Sequence, residues 1–299
     1  MQARPARLVV LALVTALLGP PLVATSEAAV VLCQRKNKIR LRVDACKKKE
    51  IRVDPGELTP CAPDSVRVAG VCLDRVEASI WRLPPGATEL VDSIRNGTVT
   101  LEGLTTAGAF QLGDVDGFLC GPGDYPSTFP RTGAWTEPLY AVALPGVVPS
   151  RCVTWFQAQQ ACALSGKRLP TNAEWQLAAT GTPDPGADDG STTCAVGGTV
   201  VGGGSRPACV STAGVFDAVG NAWEWVADWG SSTAGMCGQW PAEFGDDLDC
   251  VTIVGSGQFL GALLRGGSYN EGGTAAGPFA TRSNPPASAT ADTGFRCVR

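Results

Sequence analysis

Apolar and basic residues alternate along 30–58, VVLCQRKNKIRLRVDACKKKEIRVDPGEL, where Ile39, Leu41 and Val43 interleave with Arg40 and Arg42, and Ile51 and Val53 flank Arg52. A period of two predicts short strands with one wet face. DPGELTPCAP at 54–63 is turn-rich, and a boundary is placed there. From Val66 onward, VRVAGVCLDRVEASIWRLP again reads as short strands, whereas 84–148 is rich in Gly, Pro and Thr and reads as loops on a β scaffold. In CVTWFQAQQACALSGKRLPTNAEWQLAA, 152–179, Val153 and Trp155 are read as ending a strand. Trp155, Ala158 and Cys162 then recur at helical spacing, with Gly166 as the stop. Thr171 opens a second helix, with Glu174 three residues on as its capping box and Pro170 and Trp175 as a hydrophobic staple. Helices so punctuated within a loop-rich β chain predict an α+β fold with little regular structure. No internal repeat is visible.

The N-terminus has a different pattern. Arg4 and Arg7 precede an apolar run, Leu8 to Leu18, and a small-residue site at 26–28. This predicts a secretory signal peptide, 1–28, because Gly19, Pro20 and Pro21 would break a buried helix. The expected location is therefore outside the cytoplasm, secreted or in the periplasm or cell envelope. No later stretch is apolar for the roughly 18 residues that a membrane span needs.

Twelve cysteines, an even number, then predict disulfides. Proximity along the chain suggests Cys33–Cys46, Cys61–Cys72, Cys194–Cys209 and Cys237–Cys250, leaving Cys120–Cys152. The expected organisation is a small basic β-rich segment at 29–58, a linker at 59–65 and a large domain at 66–299. Charge divides along the same line. Residues 33–58 carry nine Lys/Arg against four Asp/Glu, while 59–299 is net negative by ten. The basic run CKKKE fits an anionic surface or polymer, but lysines on an edge strand also deter sheet-to-sheet aggregation, and that reading is preferred. Asn96-Gly97-Thr98 is a glycosylation sequon only in a eukaryotic host.

Chemistry concentrates in GVFDAVGNAWEWVADW, 214–229, where Asp217, Glu224 and Asp228 surround Gly220 and the tryptophans. A bent loop of this kind supplies the carboxylate and carbonyl oxygens that Ca²⁺ requires. The tryptophans alternatively form core, with the acids solvated or paired. There is no histidine, so Ser–His, Cys–His and histidine-bound iron sites are excluded.

GKRLPTNAEWQLAA, GVFDAVGNAWEWVADW, LLRGGSY, TRS and the terminal GFRCVR together resemble, in order and spacing, the formylglycine-generating enzyme family, or sulfatase-modifying factors, over roughly 66–299. The resemblance implies a variant of the C-type-lectin fold. It also implies oxidation of a cysteine in a sulfatase peptide to formylglycine, using O₂ and copper held by two cysteines just after GGSY. Here that place reads NEGGTAAG, with Asn270, Glu271, Ala275 and Ala276 where thiols are expected. Cu(I) selects soft thiolates, so copper and the oxidase chemistry are not expected. A further bridge of some members is missing both halves, at Ala179 and Phe279.

The resemblance further implies a Cys162–Cys297 bridge. It implies a calcium site at Asp217, Gly220, Ala222 and Glu224. A second family calcium site is expected to be lost, since no acid occurs from Gly190 to Phe216.

Three functional readings follow. The first is a non-catalytic binding module braced by disulfides and calcium, for a protein, peptide or glycan ligand, with no nucleic-acid partner. It would use 265–283, EFGDDLD at 243–249 and exposed tryptophans. The second is a formylglycine-generating-type oxidoreductase, or another reaction using Ser268, Tyr269, Glu271 and Arg282. The third is a structural module of an envelope or matrix.

Overall fold

The computed structural model describes residues 30–36, 38–53, 59–114, 119–232, 238–239, 248–250 and 259–299, with only the backbone considered over 231–260. The expected signal peptide, the Cys237–Cys250 pairing and most of 243–249 lie outside the described residues. The chain forms two compact units, 1–55 and 56–299.

The smaller unit is a three-stranded antiparallel sheet, with β1 (Val30–Arg35) between β2 (Lys38–Val43) and β3 (Ile51–Val53). The two-residue alternation sets its register, Leu32 opposite Leu41 and Val53, and Cys33 opposite Arg40 and Arg52. A Cys33–Cys46 disulfide draws the β2–β3 connection against β1. Below about 40 residues such a staple is usually needed, because the core is too small to offset chain entropy.

In the larger unit, β4 (Ser65–Val68) and β5 (Val71–Asp74) form a hairpin, and β6 (Ala78–Arg82) lies between β7 (Phe110–Leu112) and β8 (Tyr140–Ala143). The main sheet holds β9 (Trp223–Ser232), β10 (Gly238–Gln239), β11 (Leu248–Cys250), β12 (Phe259–Arg265), β13 (Thr281–Asn284) and β14 (Thr293–Phe295). Their order is β10-β11-β13-β12-β9-β14. The β9–β14 and β11–β13 pairs are parallel. Residues 59–65, expected as linker, are tied into this unit by Cys61–Cys72 and by Asp64, which meets Lys167 and Arg299, and Ser65 already opens β4.

Two helices stand where loops were expected: α1 (Thr88–Arg95) and α2 (Leu101–Thr106). Leu90, Val91 and Ile94 turn one side of α1 towards β8, and Thr100 caps α2 by accepting from Gly103 N at 3.1 Å. The expected strand at Val153 is absent. The chain instead enters α3 (Trp155–Leu164) through a capping box, in which Thr154 Oγ1 accepts from Gln157 N and Gln157 Oε1 from Thr154 N. Val153 is buried as coil. The second expected helix is α4 (Asn172–Ala178), with the Thr171–Glu174 box in place.

The helices pack on the main sheet. Ala158, Ala161 and Cys162 meet Trp223, Trp225, Leu264 and Phe295 in one core, while Trp175 and Ala178 meet Val226 and Val298 in another. A Cys162–Cys297 disulfide ties α3 to the C-terminus across 135 residues. Long closed loops of that kind gain the most from a cross-link, about 4–5 kcal/mol on the chain-entropy account. Cys120–Cys152 and Cys194–Cys209 are also bridged.

Candidate functional site

Two glycine turns join the main sheet to its surroundings, and they bring the candidate residues into two clusters. The first turn runs into β9. Asp217 and Asn221 both have positive φ (57°), and a Cβ on Gly220 (φ 74°) would fall 2.3 Å from the Ala195 carbonyl oxygen. Only glycine fits there. The turn buries Asp217 and delivers Glu224 into the core.

Glu224 Oε2 accepts from Trp175 Nε1 at 2.7 Å and from Arg296 Nε at 2.6 Å, and Oε1 accepts from Arg296 Nη2. Arg296 also donates to the Phe216 carbonyl at 3.0 Å. Glu77, which sequence reasoning passed over, lies in the same cluster. Its Oε2 accepts from Asn221 Nδ2 at 2.5 Å and its Oε1 from Ala222 N at 3.0 Å. Three buried carboxylates thus face one guanidinium. Burial, with the Asp217 and Glu224 charges, holds the Glu77 carboxyl well above its ordinary range. Burial likewise pushes Asp217 up to about 6, although Gly204 N donates to its Oδ2 at 2.6 Å.

A hard dication would offset this excess of negative charge, but Glu224 is already paired with Arg296, and Glu77, Asp217 and Glu224 do not bring three ligand oxygens together as a ready-made site. Asp217 Oδ1 is buried without a hydrogen-bond partner. Glu224 uses three of the roughly four acceptor sites of a carboxylate, leaving one. Asp228, the third acid of the segment, is engaged elsewhere: its Oδ2 accepts from Asn172 N at 2.6 Å, at the start of α4.

The second turn leaves β12. Gly266 and Gly267 have φ of 92° and 82°, and a Cβ on Gly267 would lie 2.4 Å from Ala276. The double glycine lets Ser268 and Tyr269 turn inward. Ser268 Oγ meets Asn270 Oδ1 at 2.5 Å. Tyr269 receives Arg151 Nη1 on its hydroxyl at 3.3 Å, with the guanidinium 5.3 Å from its ring centre.

Glu271 and Arg282 come together, Oε1 to Nη1 at 3.6 Å, with the Arg282 guanidinium 5.6 Å from the Trp223 ring. Burial, opposed by Arg282, raises the Glu271 carboxyl to about 7. The Trp223 indole is close enough to favour the carboxylate, yet Trp223 Nε1 and Glu271 Oε2 both lack a properly formed hydrogen bond. Ala276 packs with Cys194, Val196, Cys209 and Val219. The loop therefore offers oxygen, nitrogen and methyl groups and no sulfur. None of the ten cysteines whose side chains are described is free.

A third group, Cys120, Asp124 and Cys152, brings potential ligand atoms together, but its sulfurs form a disulfide.

Residues 136–299 match the sulfatase-modifying factor enzyme 1-like domain. The formylglycine-generating enzyme of Streptomyces coelicolor is 30% identical over 169 residues, covering 49% of this chain and 51% of that protein. That of Thermomonospora curvata is 31% identical over 171 residues, covering 49% and 54%. The chain thus spans about half the length of these curated relatives. Among solved structures, the Major Tropism Determinant I1 variant aligns with a TM-score of 0.41 at 19% identity, over 81% of this chain and 53% of that one. PvdO from Pseudomonas aeruginosa aligns at 0.37 and 18%, over 77% and 80%.

Proposed function

Because this chain belongs to the sulfatase-modifying factor family and has its α+β variant of the C-type-lectin fold, we propose that it is an exported member that binds a ligand and does not perform the copper oxidation. The observation that carries this reading is the content of the turn after Gly267. Glu271 and Ala276 occupy a loop with no thiol, and the ten cysteines whose side chains are described are all consumed in disulfides. Five disulfides, and no described helix long and apolar enough to cross a membrane, fit a chain that folds in an oxidising compartment. A periplasmic, envelope or extracellular location follows from the signal-type N-terminus.

Calcium is proposed as a brace. Asp217 and Glu224 would hold it with the Gly220 and Ala222 carbonyls, and bound calcium would offset the excess carboxylate charge beside Arg296. It has no part in any reaction here. The ligand surface is assigned to 265–283, a loop on a rigid sheet, with the exposed Trp229 and Trp135 as stacking surfaces for a peptide or glycan.

The test is mass spectrometry of a Cys-x-Pro-x-Arg peptide incubated with the protein, Cu(I) and O₂. Unchanged peptide is expected. Formylglycine in the product would restore the oxidoreductase reading, in which Ser268, Tyr269, Glu271 and Arg282 would be the residues to substitute.

A further inference from the structure

Five of the eleven large apolar residues exposed among the described residues fall within the small N-terminal unit. They are Val30, Ile39, Leu41, Val43 and Ile51, exposed by between 43% and 73%. Cross-strand partners point to the same side of a sheet. The register pairs Val30 with Val43, Leu32 with Leu41, and Gln34 with both Ile39 and Ile51. One face is therefore mostly aliphatic, with Val30, Ile39, Leu41, Val43 and Ile51 exposed on it and Val53 buried.

The opposite face buries Val31 and Cys33 and surrounds them with cations. Arg35 lies directly across from Lys38, and Arg40 and Arg52 flank Cys33 on its two sides. Like charges directly opposite each other destabilise a strand pair. Of these cations and Arg42, only Arg42 makes a salt bridge among the described residues, to Glu50 at 2.7 Å. Arg35, Lys36, Lys38 and Arg40 line a hollow of about 640 Å³. Residues 30–53 hold nine Lys/Arg against two Asp/Glu, a net of +7 in 24 residues.

We infer that this unit is a docking module for an anionic phospholipid surface, with the aliphatic face in the acyl boundary and the cations on the headgroups. Strand order permits both contacts at once. β2 and β3 are the edges of the sheet, so Lys38, Arg40, Arg42 and Arg52 all project from edge strands. Their long stems can run past the edge and place the charge at the headgroup plane. Charge decides between this occupant and a second copy of the unit. Face-to-face pairing would cover the aliphatic surface but bring two +7 units together, whereas an anionic bilayer neutralises them.

The experiment is flotation of the full oxidised chain with vesicles of phosphatidylcholine alone and of phosphatidylcholine with phosphatidylglycerol. Binding is expected only with the anionic lipid and is expected to weaken with salt. Arg40→Gln and Arg52→Gln should each lower affinity roughly fivefold. Leu41→Asp should abolish binding, and Ile51→Asp on the other edge should repeat the result should Leu41→Asp disturb folding. Cys33–Cys46 closure by peptide mapping is the folding control.

Three results would overturn the inference. The first is no flotation with anionic vesicles. The second is flotation unchanged by both aspartate variants, which would leave only adhesion to any polyanion. The third is a concentration-dependent dimer, lost in Leu41→Asp, without vesicle binding. None of these touches the peptide-oxidation test of the larger unit.

Discussion

The two glycine turns of the main sheet are built from the same parts, a left-handed backbone, a carboxylate and a tryptophan, and they end in opposite states. At 217–224 the carboxylate is closed: Glu224 receives Trp175 and Arg296 and has no exposure to speak of. At 266–271 it is open: Glu271 is half-buried, 3.6 Å from Arg282, with one oxygen and the neighbouring indole N–H unsatisfied. A buried charge persists where it is paired and hydrogen-bonded. One left with loose partners shifts toward its neutral form. The first turn therefore behaves as a joint of the fold, and the second as a turn whose polar groups are loosely partnered.

Removing a closing partner should break the comparison most severely. Arg296→Met leaves Glu77, Asp217 and Glu224 buried without the guanidinium they face. It should cost about 3–5 kcal/mol in denaturant unfolding. A loss below 1 kcal/mol would mean that those carboxylates are neutral and that the turn is not held by charge. Calcium removal comes next. At a hundredfold excess over its Kd, a bound ion contributes roughly 2.7 kcal/mol, so chelation should lower the melting temperature, and re-addition should restore it. An Asp217→Asn variant should lose that response. A melt insensitive to EDTA, with no calcium in elemental analysis, would remove the brace.

What the sequence disclosed follows the distance over which each interaction acts. The Thr171–Glu174 box and the alternation of 30–53 are local, and they appear as a capped helix and three short strands, although the strands leave most of their aliphatic face exposed as well. α1 was hidden because it begins at Ala87 with no side-chain cap and runs only eight residues in Pro- and Gly-rich surroundings. Thr154 and Gln157 carried a capping-box signal, but Val153 and Trp155 suggested a strand and masked it. Glu77 and Arg296 are 219 positions apart and meet only through the fold. The one local hint was an acid inside an apolar stretch, VEASIW. At Glu271 the residue was legible but not its state, which depends on burial and on Arg282 and Asp292.

Glu271→Gln sharpens the contrast without removing a fold contact of consequence. The carboxyl is raised from its ordinary 4.5 to about 7, so the native state holds the proton more tightly than the unfolded chain. Stability contributed by that proton is present below the ordinary value and is lost as pH rises through about 7. Glutamine keeps the neutral shape, so the variant should be more stable than the parent above neutrality, by on the order of 1 kcal/mol. It should match the parent in acid. Destabilisation above neutrality would show that the Arg282 pair is a structural clasp.

Glu174→Gln, a smaller effect, should run the other way. Hydrogen bonds from Arg168 at 2.7 and 2.8 Å hold this carboxyl down to about 2, with Thr171 N donating as well. A depressed acid stabilises the fold above its ordinary value of 4.5 and loses that contribution as pH falls through about 2. Glutamine at the third helical position can still complete the capping box, so only the ion pair is removed. Arg168 is nearly half exposed, and screened pairs of this kind contribute about 0.2–1 kcal/mol. The variant should therefore be slightly less stable at neutral pH, with the deficit shrinking in acid. The same substitution thus changes sign between a carboxylate whose charge is met and one whose charge is not. Thermal melts of the two variants across the acid and neutral range would show whether the structure ranks them correctly. Two curves of the same sign would mean that Glu271 is as firmly paired as Glu174, and the second turn would no longer qualify as the open one.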